Sequence, residues 1–194
     1  MTAGTFNADD ARTKLSRRHL LCFPFAAPLI SIPRLAEAAR WRPPREWCLR
    51  LHNTATGEVF DDVYCVDGRT LPDALARITW MLRDHATNQC RPMDETLLHR
   101  LFRMQRRLDS DRPFDVLSAY RSPATNHRLA KAGVGVSPQS LHLQGRAVDI
   151  RFPGCDVHTL HRIALDLGEG GIGYYPVSGF VHLDTGAARQ WIGR

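Results

Sequence analysis

Two segments in the second half of the chain alternate apolar and polar residues with a period of two, and this pattern constrains the fold more than any other feature. Side chains on a strand point alternately to opposite faces, so in Ala147-Val148-Asp149-Ile150-Arg151-Phe152 an apolar face (Val148, Ile150, Phe152) backs a polar one (Ala147, Asp149, Arg151). In Gly179-Phe180-Val181-His182-Leu183-Asp184, Val181 and Leu183 turn inward while Phe180, His182 and Asp184 turn the opposite way. Gly145 permits a bend between His142 and the first strand, so that His142 and Asp149, seven residues apart, can converge on one point. A His, an Asp and a second His at the ends of neighbouring strands supply three nitrogen and oxygen ligands and leave zinc an open position for water. Singly, these residues carry less. A lone strand histidine is more often a hydrogen-bonded structural residue, and an aspartate near a turn is more often a cap.

The remaining pattern predicts helices interleaved with short strands. Glu46 to His52 and Val59 to Val66 read as two arms of a hairpin turning at Asn53-Thr54-Ala55-Thr56-Gly57. Leu71-Pro72-Asp73 opens a helix running to about His85, with proline in the first turn, where its missing N–H costs little. Asp94 caps a second helix in which Leu97, Leu98, Leu101, Phe102 and Leu108 recur at helical spacing, leaving Arg100, Arg103, Arg106 and Arg107 on a solvated face. Phe114 to Tyr120 is a strand that delivers Arg121 to its end, followed by a helix start at Ser122-Pro123. Asp156 to Leu167 is a helix, Gly168 to Gly173 a flexible connection, and Phe180 to Asp184 a short strand. No GxGxxG or GxxxxGK[ST] phosphate loop is present, and the irregular order indicates an α+β architecture.

The first 38 residues read as an address. Arg17-Arg18 precedes an apolar stretch, Leu21 to Ile30, that is interrupted by Pro24 and Pro28 and too short to span a bilayer, which needs about 20 apolar residues. A twin-arginine pair before such a core, ending in Ala36-Glu37-Ala38, resembles a Tat-type export signal with an A-x-A cleavage site. Residues 39–45 then form a Pro/Arg linker, and residues 46–194 form the domain. Cleavage after Ala38 removes five basic and three acidic residues, so 21 basic residues face 17 acidic ones and the mature chain carries +4. That modest balance suits an anionic envelope partner, and no dense Lys/Arg run with interleaved aromatics argues for nucleic acid. Cys48, Cys65, Cys90 and Cys155 remain after cleavage; Cys48 and Cys65, on two arms of one hairpin, are the preferred pair among three possible pairings. No CxxC spacing supports a thiolate zinc site.

Three blocks carry a family resemblance: Leu117-Ser118-Ala119-Tyr120-Arg121-Ser122-Pro123-Ala124-Thr125-Asn126, then Ser140-Leu141-His142 through Gly145 to Asp149, then Gly171-Ile172-Gly173-Tyr174-Tyr175-Pro176 through Phe180-Val181-His182-Leu183-Asp184-Thr185-Gly186. In order and spacing they are similar to the YcbK-like (DUF882) branch of the M15 peptidases, over nearly the whole stretch from Trp47 to Gly186. The resemblance implies a D-Ala-D-Ala peptidase/hedgehog-type fold, expected here as a small antiparallel sheet with flanking helices. It also implies one zinc per chain and hydrolysis of peptide cross-links in peptidoglycan, in the periplasm or at the cell wall. It makes His142, Asp149 and His182 the zinc ligands, and Arg121 the residue that meets a substrate carboxylate or the developing oxyanion.

The proton acceptor is not carried over. Relatives place an acidic residue three positions before the last ligand or use a His-x-His pair, and this chain has Gly179 and Phe180 there. Asp184 is the nearest acidic candidate, either as general base or as the carboxylate that orients a ligand imidazole, with Glu169 behind it. His52, His85, His99, His127, His158 and His161 lack a partner at ligand spacing, and Trp191 reads as a core or edge aromatic, whereas Tyr174 and Tyr175 border the groove. The activity alternatives are a D,D-carboxypeptidase of the same fold and a non-catalytic peptidoglycan-binding module. The exported polypeptide is expected to start at Ala39; intact-mass measurement of the mature form checks it, and an uncut N-terminus would refute it.

Overall fold

The computed structural model describes residues 45–133 and 136–193. The expected export signal, its cleavage site and nearly all of the linker lie outside the described residues. Eight strands form one sheet: β1 (Glu46–Asn53), β2 (Val59–Val66), β3 (Arg69–Thr70), β4 (Phe114–Ser118), β5 (Ala147–Arg151), β6 (Gly171–Tyr175), β7 (Phe180–Asp184) and β8 (Arg189–Ile192). The helices are α1 (Pro72–Met81), α2 (Glu95–Leu108), α3 (Pro123–Lys131) and α4 (Val157–Asp166), with a short 3-10 turn at Leu141–Gln144. The α+β class holds.

The sheet is neither small nor purely antiparallel. Its order is β3-β2-β1-β4-β5-β7-β6-β8, and β1 pairs parallel to β4, as β6 does to β8. Each parallel pair follows from a crossover: α1 and α2 carry the chain from the β1–β2–β3 edge back to start β4 beside β1, and the turn after β7 passes β6 to place β8 on its far side.

The alternation predicted for β5 and β7 is present. Val148, Ile150, Val181 and Leu183 are fully buried in a core that also takes Leu49, Leu51, Phe114 and the apolar stripe of α2. The Asp94 carboxylate accepts the Thr96 amide at 2.9 Å, capping α2 as its position predicts.

Four expectations are corrected by packing. First, α1 ends at Met81 rather than near His85, because Asp84 turns the chain; its carboxylate accepts the Ala86 amide at 3.0 Å and the distant Ser122 amide at 2.8 Å. Second, Arg100 is buried, not solvated, while Arg103, Arg106 and Arg107 are exposed. Third, residues 171–173, the second half of the expected flexible connection, begin strand β6. Their glycines hide the strand signal because a Cβ on Gly171 would strike the Asp184 carboxylate and one on Gly173 would come within 2.7 Å of the Trp191 ring. Fourth, all four described cysteines are free. Trp47 pairs with Cys65 and Cys48 with Val63 across a bulge, so Cys48 and Cys65 lack the facing register a bridge needs.

Asp84 ties the α1 corner to the start of α3 and so holds the residue after Arg121. Burial acts to raise its pKa, but hydrogen bonds with Ser122 and the Ala86 amide outweigh that and hold it at about 2. A depressed carboxylate stabilises the fold above its ordinary pKa and loses that contribution as pH falls through the folded value. Asp84→Asn is therefore expected to cost on the order of 2 kcal/mol at neutral pH. Urea unfolding should show the gap from wild type closing as the solution is acidified toward about pH 2; a pH-independent difference would contradict this.

Candidate metal centre

The three residues predicted as ligands meet. His142 comes from the 3-10 turn, Asp149 from the middle of β5 and His182 from the middle of β7, where Asp149 and His182 are register partners. The turn is started by Ser140, whose hydroxyl accepts the His142 amide at 3.3 Å, and ended by Gly145 at φ +69°, where a Cβ would collide with the Pro92 carbonyl. Glycine there brings the turn back over the sheet. One ligand atom of each residue lies within 4.8 Å of the others. His142 Nε2 is 3.3 Å from His182 Nδ1 and 3.4 Å from Asp149 Oδ1, and His182 Nδ1 is 2.8 Å from Asp149 Oδ1.

These atoms suit a metal. Ligands about 2.0–2.2 Å from a tetrahedral zinc lie roughly 3.3–3.5 Å apart. The two edges at His142 have that spacing, and the third is at hydrogen-bond length.

Each candidate ligand is also held at its opposite end. His142 Nδ1 donates to the Ala119 carbonyl at 2.6 Å, leaving Nε2 as the lone-pair nitrogen. His182 Nε2 donates to Asp184 Oδ2 at 3.1 Å, so that in the neutral ring Nδ1, 2.8 Å from Asp149 Oδ1, carries the lone pair. Arg121 Nη2 donates to Asp149 Oδ2 at 2.7 Å, turning Oδ1 toward the histidines.

Electrostatics acts in opposite directions on the two imidazoles. Burial lowers the His142 pKa, an effect only partly offset by Asp149, and so favours the neutral ligand form. For His182, burial pulls down, but hydrogen bonds and charge from Asp149 and Asp184 outweigh it and raise the pKa. Both aspartates are held below the ordinary carboxylate range. Burial opposes this in each, overcome at Asp149 by the two imidazoles and at Asp184 by His182, Arg189 and the Gly186 amide.

The centre opens into a cavity of about 300 Å³ lined by Arg121, Ser140, Tyr175, Phe180 and Trp191, among others. Tyr175 stacks on Phe180 at 4.3 Å between centroids and accepts a hydrogen bond from Trp191 Nε1 at 3.1 Å. The Trp191 ring lies 5.2 Å from that of His182. Trp191, on the edge strand β8 as expected of an edge aromatic, is thus also a wall of the site. Gly173 in β6 and Gly193 just after β8, which leave room for Trp191 and Tyr175, were the sequence signal for this wall. Tyr174, expected at the groove, instead stacks on His161 at 4.6 Å. Gln144 Oε1 accepts a long bond from Arg146 and is not part of the lining.

Asp184 is fully buried and fully engaged. Oδ1 accepts the Gly171 and Gly186 amides at 3.0 and 2.8 Å, and Arg189 grips both oxygens. Glu169 is bonded to Arg103 and does not line the cavity. Arg189 and Asp84 went unrecognised because neither belongs to a local motif; their roles arise only when the strands and corners meet.

Three ligands with an open side are the arrangement of catalytic rather than structural metal sites. Residues 42–191 match the profile of an M15 peptidase family described as peptidoglycan L,D-endopeptidase MepK, and the chain belongs to this family. It is 36% identical over 177 residues to the peptidoglycan L,D-endopeptidase MepK of Escherichia coli (strain K12), covering 91% of this chain and 97% of the relative. The probable peptidoglycan L,D-endopeptidase MepK of Haemophilus influenzae is 33% identical over 165 residues, covering 84% of this chain and 89% of that relative.

If Asp184 orients His182, Asp184→Asn should leave the fold intact and weaken divalent-metal binding about 10- to 100-fold. Competition titration against a chromogenic chelator measures this, and an unchanged affinity would remove Asp184 from the site.

Proposed function

We propose that this protein is a zinc-dependent peptidoglycan endopeptidase that hydrolyses L,D-type peptide cross-links, built on a D-Ala-D-Ala peptidase/hedgehog-type fold. The observation that carries the reading is that all three ligand atoms converge while the opposite atom of every ligand is held by a separate partner. Bound there, zinc would supply the acidity that ionises a water near neutral pH and the positive charge that polarises a carbonyl.

The chain's own residues account for the rest. Arg121 spends Nη2 on Asp149 and Nε on the Ser118 hydroxyl at 2.9 Å, so its Nη1, with no bond among the described residues, is the donor left for a substrate carbonyl or the developing oxyanion. Removing one such preorganised donor typically costs on the order of a hundredfold in rate. Asp184, saturated by two amides, an imidazole and a guanidinium, serves as the orienting carboxylate and not as the base. The Tyr175, Phe180 and Trp191 wall lends an apolar side to the peptide groove.

Export by a Tat-type signal to the periplasm or cell wall completes the proposal. It accords with the substrate named for the relatives. Among the described residues no helix is long and apolar enough to cross a membrane.

Purified protein should hold about one zinc per chain and release monomeric muropeptides from cross-linked peptidoglycan, and His142→Ala should lose both properties. Chromatography of the digest decides the bond class: cleaved cross-links support the endopeptidase, and release of terminal D-alanine alone would give the D,D-carboxypeptidase instead. Binding without turnover at confirmed metal occupancy would leave a peptidoglycan-binding module.

A further inference from the structure

Arg100 sits where a charge is expensive. It lies in the middle of α2 at 1% exposure and is the largest fully buried side chain among the described residues. Its Nη1 donates to the Asp184 carbonyl at 3.0 Å and reaches the Gly171 carbonyl at 3.5 Å, whereas Nε and Nη2 are buried without a partner among the described residues. No carboxylate among the described residues forms a salt bridge with it. Glu169 is occupied by Arg103, and the Asp184 carboxylate by Arg189 and His182. Burial lowers its pKa to about 10, so it is still charged at neutral pH.

A buried guanidinium with two unpartnered nitrogens is costly, and an apolar residue of similar volume usually serves stability as well or better. Its place here therefore calls for a use besides packing, and its contacts indicate one. The carbonyl it grips belongs to the residue whose carboxylate orients His182. Gly170 and Gly171 clear the way on both sides of that residue: a Cβ on Gly170 would strike the Asp184 carbonyl and come within 3.0 Å of Arg100 Nη1, and a Cβ on Gly171 would strike the Asp184 carboxylate. Asp184 is thus held by two arginines, Arg100 on its main chain and Arg189 on its side chain.

We propose that Arg100 is a positioning residue of the metal centre, fixing the Asp184 backbone at the end of β7 and, through the Asp184 carboxylate, the direction of the His182 imidazole. The inference rests on the metal reading of the triad. It makes a residue with no exposure to the cavity a determinant of metal geometry.

The test uses the whole chain loaded with Co2+, whose visible absorption reports ligand geometry, alongside urea unfolding. Arg100→Gln keeps a neutral donor for the carbonyl, and Arg100→Lys keeps the charge without the fork. Gln is expected to weaken Co2+ binding about tenfold and shift the absorption, and Lys to weaken it less, roughly threefold. A Gln variant that changes only the unfolding midpoint, with wild-type Co2+ affinity and spectrum, would make Arg100 merely structural and overturn the proposal. Should the Gln protein fail to fold, the Lys variant decides: a shifted affinity and spectrum support positioning, and wild-type values overturn it. Wild-type protein that takes up no Co2+ would overturn the metal reading and this inference together, whereas normal wild-type uptake with indifferent variants would overturn this inference alone.

Discussion

The centre depends on hydrogen bonds made away from it. An imidazole can offer either nitrogen and a carboxylate either oxygen, so convergence of three side chains does not by itself define ligand atoms. Here Ala119 fixes the His142 tautomer, Asp184 fixes His182, and Arg121 occupies one oxygen of Asp149. These partners arrive from different elements: the stretch after β4, the end of β7 and the corner before α3. The tie between Asp84 and Ser122 holds that corner, and Arg121 returns its own amide to the His142 carbonyl at 3.1 Å. Strand register supplies the rest, since Asp149 faces His182 on adjacent strands and Ser118 faces Asp149 on the other side.

The core of this arrangement was legible in the sequence because period-two alternation is a local signal. Val148, Ile150, Val181 and Leu183 alternate with the residues that became Asp149, His182 and Asp184 of the centre, and Gly145 announced the bend that brings His142 back. Elements whose reasons are tertiary were not legible. β6 looked like a loop because its glycines make room for a carboxylate and an indole contributed by β7 and β8. Arg100 looked solvated because three other arginines on α2 are, and charge patterning on a helix cannot register that one of them meets a strand end. Asp84 fell inside an expected helix because its partner is 38 residues away. The cysteine pairing failed on register: counted from His52 opposite Val59, the regular ladder sets Cys48 opposite Val63, and the bulge beyond it brings Cys65 only as far as Trp47.

Charge balance connects the geometry with the chemistry. Asp149 is matched by Arg121 and Asp184 by Arg189, each pair nearly or fully removed from solvent on the carboxylate side. The two carboxylates therefore bring no net negative charge to the cluster, and burial favours neutral His142. Were a divalent cation held there, as proposed, its positive charge would be left largely uncancelled and able to act on anions in the cavity beside Tyr175, Phe180 and Trp191. A cluster with two unpaired carboxylates would hold a cation more tightly and leave it less able to acidify water or stabilise an oxyanion. On the proposed function these arginines would thereby set how electrophilic the centre is, and Arg121, with two nitrogens on Asp149 and Ser118, would combine that task with holding the ligand carboxylate.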